Sequence, residues 1–543
     1  MHFRIKASST YLPLILAIVL IAGMLIGVKL VERTGEGSMF VYPRTDKLSG
    51  VLNFIQMEYV DSVSRDLLVE ETIPAILKNL DPHSVYIPAR DLQRVTEPLE
   101  GNFDGIGIQF NMLSDTVVVI QTISGGPSER IGIAPGDRIV MIDDSLVAGV
   151  DMADSDIVSK LRGLRGTKVT VGVMRQGIPG LMEFEITRDR IPLYSVDVAY
   201  MISDEIGYIK ISQFSRTTFR EFMEASEKLN ARGMKKLILD LRGNGGGYMD
   251  QATSIADQFL EKDRLIVYTE GRSSPRKDVF ATANGINLDT ELLILIDEWS
   301  ASASEIIAGA IQDNDRGLVV GRRSFGKGLV QNQTMFSDGS ALRLTVARYY
   351  TPTGRSIQKP YDGGSESYFN DLDQRFLQGE FDTQDSIRFD DSLMFTTPGG
   401  NIVYGGGGIM PSVFIPRDTT GITDYYNQIT RRGLVYRFAF DYSDRNRSSL
   451  LRFDNAADIN RYLDRQSLMD DFVTYAEKQG ISPDAGQISR SGEIIHTQIK
   501  AYIARNIIDN EGFYPIIGRI DETLKRSISL METSSISEML TRR

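Results

Sequence analysis

Three closely spaced serines and a downstream lysine are the residues of this chain whose types could carry out nucleophilic catalysis. Ser300, Ser302 and Ser304 lie between an apolar run at 292–296, which predicts a buried strand, and a segment with apolar residues at helical spacing. Lys327 follows on a loop flanked by glycines. A hydroxyl at a strand-to-helix turn and a nearby amine could form a nucleophile with its base. Residue types alone leave the choice among the three serines open.

The histidine count favours a lysine as that base. A Ser-His-Asp triad needs a histidine, and the chain has three, His2, His83 and His496, all distant from the serines in sequence. A lysine base must be neutral at the working pH, so it should be buried among apolar groups, which lower its pKa. Lys327 has apolar neighbours in sequence, and Gln331, four residues on, could orient its amine.

The elements that would position these residues follow an α/β pattern. A glycine-rich turn at 242–247 (RGNGGG) follows a predicted buried strand at 237–241 and precedes a predicted helix at 248–260. This order of strand, glycine turn and helix places anions or oxyanions at a helix N-terminus. Together with a strand at 207–214 and a helix at 217–229, it predicts a sheet with helices packed on its faces.

Composition excludes several classes of site. The chain has 543 residues, a net charge of −12 and no cysteine. The length suits three or four domains, and the acidic balance argues against a nucleic-acid binder. Without cysteine there is no disulfide, no thiolate zinc site and no cysteine nucleophile. We expect no metal and no cofactor.

Residues 101–190 change to short β-like runs separated by glycine and proline. The sequence GIGI at 105–108, followed by GPSERIGIAPGDRIVMID, resembles a PDZ domain. In such a loop the backbone N–H groups converge on the terminal carboxylate of a peptide, which adds a strand to the sheet edge. A helix at 154–161 would place two apolar side chains on one face. The residues predicted to bind the peptide are Gly105, Ile106, Gly107, Ile108, Ile157 and Leu161. A small β-domain used only for packing is the alternative.

Five motifs occur in an order that resembles one protease family. They are LDPHSVYIP, GIGIQF, DLRGNGGG, SASASEIIAGAIQDN and SFGKGLVQ, all between residues 80 and 331, and the resemblance extends over residues 47–416. This stretch resembles the carboxyl-terminal processing proteases, also called tail-specific proteases, which are serine peptidases with a Ser-Lys dyad and an embedded PDZ domain. The resemblance implies that Ser302 is the nucleophile, that Lys327 is the base and that Gln331 supports the lysine. It also implies an oxyanion hole made of the backbone N–H groups of Ala303 and Gly246.

The predicted fold is mixed α/β and β and multidomain, with a crotonase-like α/β protease core, an embedded PDZ domain, and helical N-terminal and C-terminal regions. The predicted divisions are a short tail at 1–10, a transmembrane signal-anchor at 11–28, a helical region at 44–100, the PDZ domain at 101–190, the protease core at 191–416 with an inserted loop at 361–400, and a helical C-terminal domain at 417–543.

The N-terminal segment predicts membrane attachment. Arg4 and Lys6 precede an uncharged run that is mostly apolar over 11–28, a length that suits a membrane span or the core of a long signal peptide. Because no convincing small-residue cleavage site follows, we favour an uncleaved anchor over a removed signal. Export of the long C-terminal portion predicts a single-pass protein of the cell inner membrane with its catalytic portion on the periplasmic side.

The predicted function is therefore a membrane-anchored serine endopeptidase that cleaves proteins near their C-terminus after the PDZ domain has bound the free carboxyl tail. Its partners would be protein or peptide substrates with free C-terminal tails, and an adaptor protein and a homo-oligomer are left open. A PDZ scaffold with an inactive protease core is the competing hypothesis. Residues 321–327 also satisfy G-x-x-x-x-G-K, but Gly328 replaces the Ser or Thr that would bind Mg²⁺, which disfavours nucleotide binding.

Overall fold

The computed structural model describes residues 11–32, 47–113, 115–123, 125–388, 390–533 and 535–541. The predicted tail at 1–10 lies outside the described residues. The chain divides into two compact units, with the boundary after Ile76. Each unit is described by itself.

The first unit is helical, as the spacing of its apolar residues predicts. Its helices are α1 (Leu12–Glu32), α2 (Lys47–Glu58) and α3 (Arg65–Leu77). The predicted anchor at 11–28 falls largely within α1. Across the described ranges, no helix combines the length and the hydrophobicity that crossing a membrane requires.

The second unit begins with a strand and a helix and continues into the predicted PDZ domain. That domain has one antiparallel sheet in the order β3-β4-β5-β7-β8, with β6 paired to β5, while β2 pairs with β9. β3 is an edge strand of this sheet. The elements are β1 (Val85–Ile87), α4 (Ala89–Glu100), β2 (Asn102–Gly105), β3 (Ile108–Met112), β4 (Val117–Thr122), α5 (Pro127–Arg130), β5 (Arg138–Ile142), β6 (Ser145–Leu146), α6 (Asp154–Leu161), β7 (Lys168–Met174), β8 (Met182–Thr187) and β9 (Asp189–Pro192).

The predicted protease core contains two sheets. The first has the order β10-β11-β12-β15-β16-β21 and is parallel except for the β10–β11 pair. The second is antiparallel, with β1 and β13 on one edge of β18, β17 on the other, and β14 beyond β13. The elements are β10 (Val196–Met201), β11 (Ile206–Ile211), α7 (Thr218–Asn230), β12 (Lys236–Asp240), α8 (Met249–Asp257), β13 (Leu265–Gly271), β14 (Ser274–Phe280), β15 (Glu291–Ile296), α9 (Ala303–Asp313), β16 (Leu318–Gly321), β17 (Leu329–Met335) and β18 (Ala341–Tyr350).

The segment predicted as an inserted loop, 361–400, contains short regular elements. They are α10 (Gly364–Phe369), α11 (Asp371–Leu377), two 3₁₀ turns (Gln384–Ser386 and Asp391–Leu393) and β19 (Met394–Thr396), followed by β20 (Ile402–Tyr404) and β21 (Val413–Phe414). Tyr368 fixes this segment, because its buried ring lies edge-on to Phe325, two residues before Lys327. Leu372 and Arg375 are buried as well, and Arg375 bonds to the carbonyl oxygens of Arg323 and Ser324. These contacts with a distant segment have no sequence period, which explains why periodicity did not predict the helices.

The C-terminal region is helical, as predicted, but its helices serve two cores. Residues from α12 to α17 form their own hydrophobic cluster, whereas α18 and α19 contribute to a cluster on the parallel sheet. The elements are α12 (Asp424–Arg431), α13 (Leu434–Arg445), α14 (Arg447–Leu450), α15 (Ala456–Leu463), α16 (Leu468–Lys478), α17 (Ala485–Ile517), a 3₁₀ turn (Gly518–Ile520), α18 (Glu522–Thr533) and α19 (Ile536–Thr541).

The parallel sheet is therefore covered on both faces. Leu239 and Ile294 pack with side chains of α7, α8 and α9 on one face. Ile238 and Leu293, their neighbours in sequence, pack with Leu524 of α18 on the other. Successive side chains of a strand point to opposite faces, so the near-continuous apolar runs of these strands reflect burial on both sides.

Candidate active site

Ser302 lies on a tight turn between β15 and the first residue of α9. Its backbone has φ 55° and ψ −110°, a positive φ that is uncommon for a residue other than glycine and that costs energy. The Ser302 N–H donates a hydrogen bond of 2.8 Å to Oε2 of Glu305, three residues into the helix. Ser302 lines a cleft with a volume of about 900 Å³.

The neighbouring serines are fully buried and have structural roles. Ser300 Oγ donates to the carbonyl oxygen of Leu241 at 2.8 Å, and Ser304 Oγ donates to the carbonyl oxygen of Asn244 at 2.9 Å. Both bonds tie the serine turn to the glycine-rich turn after β12. Of the three serines that the sequence left open, Ser302 is the one whose side chain reaches the cleft.

Lys327 lies in the loop between β16 and β17 and lines the same cleft. Its Nζ donates to Oε1 of Gln331 at 3.2 Å. The amide nitrogen of Gln331 donates in turn to the carbonyl oxygen of His83. The structure thus brings Lys327 and Gln331 into direct contact, and the loop containing His83 holds the glutamine; the role of this contact in catalysis stays a prediction.

Burial determines the protonation of the Lys327 amine. It lowers the pKa of Lys327 below the ordinary value of 10.5, and the neighbouring Arg343 guanidinium lowers it further. The carboxylates of Glu305 and Asp81 act in the opposite direction. Desolvation disfavours a charged amine, so this environment favours the neutral form that can accept a proton. Burial also lowers the pKa of His83 to about 4, so the His83 imidazole is neutral at neutral pH.

Glu305, which the sequence did not single out, connects the segments of both catalytic candidates. It is fully buried, and Oε2 accepts hydrogen bonds from the backbone N–H groups of Ser302 and Lys327 at 2.8 and 2.9 Å. Oε1 accepts from the hydroxyl of Ser324 at 2.5 Å and from the N–H of Gly326 at 2.8 Å. Burial raises the pKa of Glu305, and these donors oppose it. One carboxylate thus joins the backbones of both catalytic candidates. The Ser-x-x-Glu spacing of a helix capping box was the available signal.

Tyr349 makes a second connection between the same two segments. Its ring is buried in the core. The hydroxyl oxygen lies 2.7 Å from the carbonyl oxygen of Lys327 and 3.1 Å from that of Ser302. The Tyr349 hydroxyl lies between these two carbonyl groups and so links the Ser302 turn to the Lys327 loop.

The glycine-rich turn approaches Ser302 so closely that only glycine fits. Gly246 has a φ of 102°, and a Cβ built there would lie 2.8 Å from Cβ of Ser302 and 3.1 Å from the amide nitrogen of Ala303. The N–H of Gly246 donates to Oδ1 of Asn244 at 2.9 Å. Ala303 lies in the first turn of α9, where helix N–H groups have no intrahelical acceptor. The assignment of these two N–H groups to an oxyanion hole stays a prediction.

The remaining walls of the cleft combine an apolar part and a charged part. α4, the glycine-rich turn, α8, α9 and the β17–β18 ribbon all contribute to it. The apolar side chains include Met249, Val279, Ile306 and Leu329, and the charged ones are Glu100, Arg216, Asp250, Lys277, Lys327 and Arg343. A cleft of this size and composition can hold an extended segment of polypeptide.

The predicted peptide-binding loop of the PDZ domain lies between β2 and the edge strand β3. Ile106 is buried, and its carbonyl oxygen accepts hydrogen bonds from the N–H and the hydroxyl of Ser128 at 3.1 and 2.6 Å. Gly107, with a φ of 75°, turns the chain into β3 at Ile108. Ile157 and Leu161 of α6 are buried in the same hydrophobic cluster as Ile106. Their predicted contact with a peptide stays a prediction.

The comparisons with known proteins agree with this arrangement. Residues 205–364 match the model of peptidase family S41, and residues 105–185 match that of the PDZ domain. A carboxy-terminal-processing protease of Bartonella bacilliformis is 34% identical over 332 residues, which are 60% of this chain and 75% of the relative. The chain belongs to the carboxy-terminal processing proteases of peptidase family S41. As a member of this family, the protein is a serine-type peptidase with a PDZ domain.

Two other similar proteins carry the same family name. The carboxy-terminal processing protease CtpB of Bacillus subtilis is 34% identical over 322 residues, and the match spans 58% of this chain and 65% of CtpB, just under two thirds. The solved structure of a photosystem II D1 C-terminal processing protease is 29% identical, with a TM-score of 0.34, and the match covers 57% of this chain and 83% of that one. Residues 425–509 of this carboxy-terminal processing protease match a family of unknown function.

Among the residues that the structure describes, no group of three or more histidine or acidic side chains could hold a metal ion.

Proposed function

We propose that this carboxy-terminal processing protease hydrolyses peptide bonds near the C-terminus of protein substrates with a Ser302–Lys327 dyad. The observation that carries the proposal is that one cleft contains a serine hydroxyl on a strained turn and a lysine amine whose pKa is lowered by burial. A hydroxyl needs a base to become a nucleophile, and a desolvated amine can act as that base.

In the proposed reaction the neutral amine of Lys327 accepts the proton of Ser302 Oγ as Oγ attacks the carbonyl carbon of the scissile bond. The resulting ammonium group then donates this proton to the leaving amine, so the C–N bond breaks and an acyl-enzyme forms. A water molecule gives a proton to Lys327 and attacks the ester, and the lysine returns this proton to Ser302. Gln331 holds the amine in place throughout, since its Oε1 accepts from Nζ.

The tetrahedral intermediates carry a negative oxygen that needs donors. We assign the N–H groups of Ala303 and Gly246 to this role, because the two turns are so close that a Cβ at Gly246 would lie 2.8 Å from Cβ of Ser302. The Gly246 N–H would share its hydrogen between Asn244 and the oxyanion. Pre-oriented donors of this kind typically contribute about 10²–10³ in kcat.

The PDZ domain supplies the selection of substrates in this proposal. The loop at 105–108 would bind the free C-terminal carboxylate, and the tail would pair with the unpaired edge of β3. Hydrogen bonds between main chains provide affinity that does not depend on the side chains of the tail. A free chain end would therefore be the main requirement for a substrate.

The proposed location derives from the sequence. We propose that the segment at 11–28 attaches the protein to the cell inner membrane with the catalytic portion on the periplasmic side. The apolar side chains of α1 support attachment, since several of them, including Leu16 and Leu20, are more than half exposed. Fractionation of cells, with protease added from the outside, would test both the attachment and the side.

The deciding experiment uses the full chain and a folded reporter protein with a C-terminal peptide tail. We expect the wild type to shorten the reporter and Ser302→Ala and Lys327→Met to be inactive, while Lys262→Met, which removes an exposed lysine, retains activity. The same reporter with an amidated tail should be cleaved less efficiently through a higher KM. Equal cleavage by wild type and Ser302→Ala would contradict the dyad. Tail binding without cleavage by any form would favour a PDZ scaffold.

A further inference from the structure

The active-site cleft contains an arginine whose side chain has no acidic partner. Arg343 lines the cleft together with Ser302 and Lys327. Its guanidinium donates one hydrogen bond, of 3.0 Å, to the amide oxygen of Gln333. Within the described ranges no carboxylate lies within ion-pairing distance of Arg343. Partial burial already lowers its pKa, so water only partly solvates this charge.

Arg216, the other arginine that lines the cleft, and Arg322, which follows β16, are both paired with carboxylates. Arg216 binds Glu100 through two hydrogen bonds of 3.0 Å, and Arg322 binds Glu298. A half-buried guanidinium without an anion is unfavourable unless a ligand supplies one. Of the two arginines that line the cleft, Arg343 is thus the one without a carboxylate partner, which indicates a ligand.

The strand register fixes the position of Arg343 relative to the catalytic groups. In the β17–β18 ribbon Gln331 pairs with Thr345, and Gln333 pairs with Arg343. Residues two apart on a strand, and residues directly opposite, lie on the same face of a sheet. Arg343 thus lies on the face that carries Gln331, the partner of the Lys327 amine. The two pairs are about 7 Å apart along the strand, which is also the span of about two residues of an extended peptide.

The charged side chains of the cleft also indicate an anionic ligand. The chain as a whole has a net charge of −12. In the cleft, Arg216 and Glu100 neutralise one another, which leaves Lys277 and Arg343 against the single carboxylate of Asp250 when the Lys327 amine is neutral. A positively charged cleft in an acidic protein concentrates anionic groups.

We infer that Arg343 forms a subsite for a carboxylate side chain of the substrate. Its ligand is an aspartate or glutamate about two residues from the scissile bond, held by two parallel hydrogen bonds of the guanidinium. This inference rests on the proposed function and makes it more specific, because it adds a preference inside the cleft to the selection of the chain end. Arg343 is a specificity-determining residue in this account and takes no part in proton transfer.

An effect of Arg343 on the Lys327 base alone would have a different experimental consequence. If the guanidinium acted only on the Lys327 amine, replacing it would shift the pH dependence of cleavage equally for every substrate. A carboxylate subsite instead changes the ratio of rates between an acidic substrate and its amide counterpart. This ratio is independent of any change in the base, because both substrates use the same Lys327.

The experiment compares peptides that differ only by glutamate or glutamine at each of three positions on either side of the scissile bond. For the wild type we expect kcat/KM to favour glutamate by about 10-fold to 100-fold at one position, as for a hydrogen bond to a charged group. In Arg343→Gln the ratio should fall to about one, and Arg343→Lys should be intermediate. Arg348→Gln is the matched control, since Arg348 is on the same strand, outside the cleft lining, and should leave the ratio unchanged.

A second measurement separates failure of this inference from failure of the proposed function. Binding of the same peptide pairs to Ser302→Ala, with and without Arg343→Gln, reports the subsite when no bond is cleaved. A wild type that shows no preference for glutamate at any position, or a preference that persists in Arg343→Gln, would overturn the inference. Absence of cleavage of every peptide, with the binding preference intact, would instead overturn the proposed reaction.

Discussion

The Lys327 amine shows how one side chain can be tuned by its surroundings. Burial and the Arg343 guanidinium both lower its pKa, and only the neutral amine can accept the Ser302 proton. We therefore expect kcat/KM to rise with pH as Lys327 loses its proton, and the midpoint of this rise to lie below 10.5, the ordinary value. Arginine at this position would stay charged, so Lys327→Arg should lose at least about 10³-fold in kcat.

The measurement is kcat/KM against pH with a peptide that has no titrating side chain. The unfolding temperature, followed over the same pH range, separates loss of the base from loss of the fold. A profile that does not rise at any pH at which the protein stays folded, or that begins to rise only above the ordinary lysine pKa, would contradict the assignment of Lys327 as the base.

Individual residues of the site differed in how far the sequence could predict them. Lys327 could be predicted, because the histidine count excluded the usual base. The choice of Ser302 needed the resemblance to a family, since the burial of Ser300 and Ser304 is a property of the fold. The positions of Tyr349 and Arg343 in the site could not be predicted from the sequence, because they depend on strand pairing that brings distant residues together.

Glu305 joins two elements of the site, so replacing it tests whether this connection aligns Ser302 with Lys327. Its carboxylate ties the first turn of α9 to the loop that carries Lys327 through four hydrogen bonds. Glu305→Gln replaces one acceptor oxygen by an NH₂ group that faces donors. A buried donor left without an acceptor costs about 1–3 kcal/mol each. We expect a lower unfolding temperature and a fall in kcat of about 10²-fold from a misaligned dyad.

The control for this prediction is Glu227→Gln, which alters an exposed glutamate on α7. Both kcat and the unfolding temperature should match the wild type there. If Glu305→Gln lowered the unfolding temperature but kept the wild-type kcat, Glu305 would stabilise the fold without positioning the dyad. An unchanged unfolding temperature would show that the four hydrogen bonds contribute little.

Periodicity predicted most elements of the core, and it failed where contacts between distant segments decide the structure. The predicted strands at 292–296 and 237–241 match β15 and β12 to within one residue. The helix predicted at 248–260 ends earlier, at Asp257. The division of the C-terminal helices between two cores had no sequence signal, because amphipathic helices look alike whichever surface they cover.

Both faces of the parallel sheet are buried, and α18 covers one of them. This helix near the end of the chain is therefore part of the catalytic core. Leu524 of α18 packs, 4% exposed, with Ile238 of β12 and Leu293 of β15, on the face opposite α9. β15 leads directly into the Ser302 turn, so support from α18 reaches the nucleophile through one strand. We expect Leu524→Ser to destabilise the core by ~3–5 kcal/mol, through the lost packing and a buried hydroxyl, and to lower the temperature at which activity is lost. Leu451→Ser is the matched control, since Leu451 is 60% exposed and should behave as the wild type. If both variants unfolded and lost activity at the wild-type temperature, α18 would be a dispensable appendage.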